Sequence, residues 1–313
     1  MKRAGIALGA IVASLACTTF ASAASDHLSG SLTCVGSDTA SALVTRWATA
    51  FQTLHPRVRI QVQAAGSASA PTALTQGAAD IGSMSRPMSS SEDAAFRARY
   101  GYPPTQLIVA RDAIVVFVHP DNALEHITLA QLDGIYSTTR RCGALQPIRH
   151  WRELDAAMTG AFGAATILAT GRNATSGTYE RFRESALCDG EYRPEVIAWP
   201  GNGAIVATVA TNREAIGYAG IGYINGLVKP LAVARDDIGP VIVADSASVT
   251  DGRYPLARAL YMYINRPPQR ALAELPAAFI EYALSDEGQI LVRQEGFVPL
   301  GTGERSAQRS IID

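Results

Sequence analysis

The amino-acid sequence predicts an α/β protein, long enough for two domains and built on mostly parallel sheets. Two observations carry this. Strand-like segments alternate with segments of helical periodicity along the chain. Ile114 to Val118 is also a continuous, largely β-branched run, and Thr166 to Ala169 and Ile216 to Ala219 look similar, as strands buried on both faces require.

Taken in order, Ser31 to Val35 reads as a strand. Gly36-Ser37-Asp38-Thr39 then leads into a helix to about Leu54, whose Ala42, Leu43, Trp47, Ala50, Phe51 and Leu54 recur at helical spacing. Val58, Ile60 and Val62 alternate as a strand. Gly66-Ser67-Ala68-Ser69 opens a short helix through Leu74, and Asp80-Ile81-Gly82 begins a short buried segment. A late strand spans Tyr254 to Asn265, and helical segments run from about Pro276 to Glu295. Such a late return is what a discontinuous first domain, closed by the C-terminal part, would produce.

The N-terminal residues speak for export. Lys2 and Arg3, the apolar run Ile6 to Ala16 and the triplet Ala21-Ser22-Ala23 follow the order of a cleaved secretory signal, with cleavage after Ala23. Cys17 leaves a lipoprotein alternative, although Leu15 stands one place off the usual lipobox. Without Lys2 and Arg3 the net charge moves from −1 by −2 to −3, which argues against nucleic acid as a partner. Of the remaining cysteines, Cys142 and Cys188 sit in polar, loop-like surroundings and are the expected disulfide. Cys34 lies in an apolar strand and reads as a buried thiol. The cysteines and the five histidines lack metal-ligand spacing, so neither a metal nor another cofactor is expected.

Three turns are rich in small hydroxyl residues: Gly36-Ser37-Asp38-Thr39, Gly66-Ser67-Ala68-Ser69 and Thr175-Ser176-Gly177-Thr178. Free N–H groups at a helix N-terminus, with hydroxyl donors beside them, suit an anion. Each turn alone is equally an ordinary helix cap, so the anion reading holds only if the turns converge. The most specific stretch is Gly171 to Thr178, where Arg172 adds a planar fork for an oxyanion. It is not a Walker A loop, and Ser176 lacks the nucleophile-elbow frame, so no catalytic residue is assigned.

Arg172-x-x-x-Ser176-Gly177-Thr178 resembles the phosphate-gripping segment of the phosphate-binding subunits of bacterial phosphate ABC importers. Gly66-Ser67, followed by Gly77 to Gly82 and Arg86-Pro87-Met88, looks like that family's second ligand loop. Gly36 to Thr39 looks like its first, and Ala215 to Tyr218 and Tyr254 to Arg258 match its later framework. The resemblance covers about Leu32 to Leu300. It implies a two-lobed periplasmic binding protein fold of type II, with the ligand cleft between the lobes. The implied lobes are 24–113 plus 250–313, and 114–249, after a signal peptide at 1–23. The implied anion ligands are Ser37, Asp38, Thr39, Ser67, Ser85, Arg172, Ser176, Gly177 and Thr178.

This chain departs from the family pattern twice. Ser85 stands where the family often has a proton-accepting Asp, and Ala174 where it often has an acidic residue two places after its Arg. The implied partners are phosphate and an inner-membrane ABC permease, and the implied state is a periplasmic monomer without enzymatic activity. A phosphate sensor or surface-interaction module without transport, and a secreted phosphatase-like hydrolase, are the competing readings.

Overall fold

A computed structural model describes residues 28–312. The expected signal peptide, with its alternative at Cys17, lies outside the described residues. The chain begins with β1 (Gly30–Gly36), α1 (Asp38–Leu54), β2 (Val58–Gln63), α2 (Ser69–Gln76), β3 (Ile81–Met84) and α3 (Ser90–Tyr100). The long β4 (Thr105–Val118) leads to β5 (His126–Thr128), α4 (Leu129–Tyr136) and α5 (Gly160–Ala164). Then come β6 (Leu168–Arg172), α6 (Gly177–Ala186), β7 (Ile197–Trp199), α7 (Asn202–Thr211) and β8 (Ala215–Gly220). Two short strands, β9 (Lys229–Pro230) and β10 (Ala232–Ala234), precede α8 (Ser246–Thr250) and β11 (Ala257–Ile264). The C-terminal helices are α9 (Glu274–Ala283), α10 (Asp286–Gln294) and α11 (Thr302–Ile312).

The main strand order is β2-β1-β3-β11-β4-β8-β6-β7. The outer pairs are parallel: β1 with β2 and β3, and β6 with β7 and β8. The central pairs are antiparallel, so the sheet is mixed, and the expected parallel pairing holds in its outer parts. The reason is β4. Its residues 105–113 pair with β11, and its residues 114–118 pair with β8, so one strand serves two half-sheets. Only the second half is a pure apolar run. The first half carries Gln106, Arg111 and Asp112, which hides it from a hydrophobicity reading.

The buried side chains divide accordingly. Leu32, Trp47, Phe51, Leu107, Met262 and Phe279 belong to a core made from the two ends of the chain. Ile114, Tyr136, Trp151, Phe182, Ile216 and Tyr218 belong to a core made from its middle. These are the two lobes. α1 buries Leu43, Val44, Trp47, Ala48 and Phe51, one helical stripe, against the first. Trp47 Nε1 donates to the Gly288 carbonyl at 2.8 Å, so its polar edge is satisfied inside the core. The helical stretch near the C-terminus is divided at Leu284-Ser285, where the Ser285 hydroxyl caps α10.

Cys142 and Cys188 form the expected disulfide, with 5.2 Å between Cα atoms, and Cys34 is a buried free thiol. The bridge ties the loop after α4 to the C-terminal turn of α6, where Cys188 and Asp189 adopt left-handed backbone conformations. Replacing both cysteines with serine frees a segment of 46 residues in the unfolded chain. The expected cost is about 2–4 kcal/mol. Urea unfolding followed by circular dichroism measures it, and a double-serine protein as stable as the parent would contradict the expectation.

Candidate functional site

The three hydroxyl-rich turns converge. Each ends a strand of one half-sheet and starts a helix, so the strand directions aim the helix N-termini at the gap between the lobes. Ser37 caps α1, accepting from Ala40 N at 3.3 Å. Ser176 caps α6, accepting from Thr178 N at 3.1 Å. With the caps assigned to Ser37 and Ser176, the next residues face across the gap. Thr39 Oγ1 and Thr178 Oγ1 lie 2.7 Å apart, buried, one from each lobe.

Ser67 and Ser85 form the floor of the first lobe's side. The Ser67 hydroxyl accepts from Ser85 N at 3.1 Å and lies 3.2 Å from Ser85 Oγ. Gly177 of the opposite lobe comes down on this pair. A Cβ on Gly177 would stand 2.4 Å from Ser67 Oγ and 2.7 Å from Ser85 Oγ, so only glycine permits the approach. All nine residues singled out from the sequence therefore lie at or beside this junction, with Arg172 joining through Asp38.

Arg172 ends β6 and is buried, its side chain 1% exposed. Its Nη2 donates to the Pro200 carbonyl at 2.7 Å, and its Nη1 lies 3.1 Å from Asp38 Oδ2. Its Nε and Nη1 have no hydrogen-bond acceptor of suitable geometry among the described residues. A buried guanidinium with donors to spare, at converging helix N-termini, has the chemistry to take an oxyanion. Burial pushes the guanidinium below its ordinary value and Asp38 pushes back, yet it stays charged at neutral pH. An aromatic box positions the strand that carries it. Tyr218 stacks on Phe182 at 3.9 Å, accepts from Arg172 N at 3.3 Å and touches Tyr192 OH at 2.8 Å. Burial holds the Tyr218 hydroxyl up at about 12, so it stays protonated.

Several site residues were not apparent from sequence. Asn202, at the start of α7, donates from Nδ2 to Asp38 Oδ2 at 2.8 Å and to Thr39 Oγ1 at 3.2 Å. The Tyr223 hydroxyl donates to the Asp38 carbonyl at 2.9 Å. Pro200-Gly201-Asn202-Gly203 is a glycine-rich turn before a helix but holds no hydroxyl residue, so the criterion that found the other three turns passed over it. Tyr223 carried no such signal. Arg86 was noted only as part of the stretch downstream of the second ligand loop, with no role of its own. It is 4% exposed and donates through two bonds of 2.7 Å to Glu92, the residue of α3 that completes the Ser89 capping box. No group of residues among those described is arranged to hold a metal ion.

Two α/β lobes, joined by a shared strand and gripping a cleft with helix N-termini, define the type II periplasmic-binding class. The PBP superfamily domain matches residues 21–287. The phosphate-binding protein PstS of Pseudomonas aeruginosa is 43% identical over 273 residues, covering 87% of this chain and 84% of that protein. Protein SphX of Synechococcus elongatus is 29% identical over 86% of this chain and 77% of its own length. A Clostridium perfringens structure, described as a phosphate ABC transporter substrate-binding protein with bound phosphate, aligns with a TM-score of 0.72 at 25% identity. It covers 87% of this chain and 100% of that one. An ABC-type phosphate transport receptor from Vibrio cholerae shares the fold, with a TM-score of 0.66 at 22% identity over 86% of this chain and 100% of its own. The chain belongs to the PBP superfamily and, within it, to the family of the phosphate-binding protein PstS.

The Arg86–Glu92 pair generates a pH prediction. Burial alone would raise the Glu92 carboxyl, but Arg86 and the Ser89 cap outweigh it and hold it below the ordinary carboxylate range. A carboxyl lowered on folding stabilises above its unfolded pKa, and the gain fades as pH falls through the folded value. Glu92→Gln should cost about 1–2 kcal/mol at pH 7. The deficit should begin to shrink near pH of about 4.3, the unfolded value. Denaturant unfolding of parent and variant from pH 7 to pH 3 checks it, and a deficit independent of pH would contradict the assignment.

Proposed function

We propose that this chain captures inorganic phosphate in the periplasm and delivers it, as a monomer, to the permease of an ABC importer. The observation that carries this is the junction of Thr39, Ser67, Ser85, Gly177 and Thr178 beside the buried Arg172. Neutral donors supply most of the grip, and one guanidinium supplies the charge. The names borne by the relatives support phosphate as the anion and an ABC importer as the destination. The lobes proposed are 24–113 with 250–313, and 114–249, after an export signal at 1–23. The anion ligands proposed are Ser37, Asp38, Thr39, Ser67, Ser85, Arg172, Ser176, Gly177 and Thr178. The role is binding, with closure of the lobes trapping the ion.

Calorimetric titration with phosphate, sulfate, arsenate and molybdate tests the reading directly. Phosphate should bind, and Arg172→Ala should weaken it at least about tenfold. Unchanged phosphate affinity in that variant would remove Arg172 from the site.

Asp38 is proposed to discriminate between anions. Near neutral pH phosphate keeps a proton and sulfate does not. A carboxylate accepts that proton as a hydrogen bond but meets only lone pairs on sulfate. Ser85 cannot discriminate in this way, because a hydroxyl donates to either ion. Asp38 does not cap its own helix, and its carboxylate faces Arg172 and Asn202 across the cleft. Asp38→Asn exchanges the carboxylate for a neutral amide, a weaker acceptor that can also donate, and leaves the Arg172 charge uncompensated; both effects favour sulfate over phosphate. The ratio of phosphate to sulfate affinity should therefore fall at least about fivefold. A ratio unchanged in the variant would leave Asp38 as a partner of Arg172 and Asn202 alone.

A further inference from the structure

Among the described residues, two ion pairs bridge the cleft. One, Arg172 with Asp38, belongs to the anion site. The other joins Arg86, in the loop between β3 and α3, to Glu180 in the first turn of α6. This second pair is not explained by anion binding. Arg86 follows Ser85, and Glu180 stands three residues beyond Gly177, so the pair lies along the seam where Gly177 meets Ser67 and Ser85.

The two sides of the pair are built differently. Arg86 is fixed before the lobes meet. Its Nη1 and Nη2 donate to Glu92, and Nη1 also donates to the Pro87 carbonyl at 2.8 Å, all within the first lobe. Nε is the one nitrogen left to face Glu180. Glu180 has no other salt-bridge partner among the described residues and is 30% exposed, so on separation of the lobes its carboxylate passes to water. The guanidinium thus loses little rotamer freedom on pairing, and the contact exists in one arrangement of the lobes only. An interaction made in one of two states shifts the equilibrium between them by its differential strength.

We infer that Arg86 and Glu180 form a clasp outside the anion pocket that sets the open–closed equilibrium of the lobes and, through it, how long a bound anion is held. This rests on the reading of the cleft as a phosphate site that closes on its ligand. Arg86 and Glu180 are positioning residues. The clasp acts after encounter, so it governs escape of the ion more than its arrival.

The test uses Glu180→Gln in the full mature chain. Glu184→Gln serves as control, because it removes the same charge from the same helix but its partner, Arg181, is a neighbour on that helix. Spin labels at Leu54→Cys and Leu145→Cys, both well exposed and one in each lobe, report the interlobe distance. Stopped-flow fluorescence reports phosphate release. Glu180→Gln should lengthen the mean interlobe distance without phosphate. It should also speed phosphate dissociation about threefold to tenfold, with association changed less than about twofold. Glu184→Gln should leave both readouts at the parent values. Equal distances and release rates in Glu180→Gln and the parent, or equal changes in the two variants, would overturn the clasp while leaving phosphate binding intact. A parent chain that fails to bind phosphate would instead overturn the site reading, and the phosphate-free distances would still decide the clasp.

Discussion

The fold depends on the buried ion pair between Asp112 and Arg258. Asp112 lies on β4 next to Ala113, the last residue to pair with β11 before the strand passes to β8, and Arg258 lies opposite on β11. Arg258 Nε donates to Asp112 Oδ2 at 2.7 Å and Nη2 lies 2.6 Å away, while Asp112 is fully buried. The second carboxylate oxygen accepts from Ala113 N at 2.8 Å and Ile221 N at 3.0 Å. A carboxylate this deep is tolerable only with such complete pairing. One side chain therefore ties the crossing strand to its partner strand and to the end of β8, and it does so beside the cleft. Gly220, at that end, lacks the Cβ that would collide with Thr39 at 2.7 Å. The turn that starts α1 can approach β8 for this reason.

From this pivot the cleft follows. Parallel strands in both half-sheets run toward it and release their chains into helices there, so backbone N–H groups and hydroxyls collect in one place. The site gathers donors while keeping formal charge low. Arg172 is matched by Asp38, and Arg86 by Glu92 and Glu180. On the proposed reading, such a site would select by hydrogen-bond geometry and proton count more than by bulk potential, which suits a chain of small net charge.

Much of this was legible in the sequence, for identifiable reasons. α1 announced itself through Leu43, Trp47 and Phe51 at helical spacing, and the Ile114 to Val118 run through its unbroken apolar character. The anion turns were visible because three glycine- and hydroxyl-rich helix starts recur along one chain, although each alone is an ordinary cap. The disulfide was visible because Cys34 alone sat in an apolar strand. What stayed hidden depended on contacts far apart in sequence. Asp38 and Arg172 are separated by more than a hundred residues, and nothing local to either says that they meet. Half of β4 was hidden because its polar residues face partners that only the assembled fold supplies. Arg86 carried no sign in the sequence of the Glu92 and Glu180 that surround it.

The first core is built from the two ends of the chain, and this constrains assembly. The second core draws on the middle of the chain, with Val298 joining it from the C-terminal part, and the disulfide closes within that middle. The first lobe cannot complete its sheet until β11 arrives to pair with β3, bringing Met84 to Tyr261 across nearly the whole intervening lobe. Contacts of such long sequence range carry a high loop-closure entropy and form slowly. Once the middle has folded, however, it acts as a short tether between the ends it separates, and the effective loop shrinks. A folded middle would therefore ease the pairing of β11 with β3 by shortening the loop that this contact has to close.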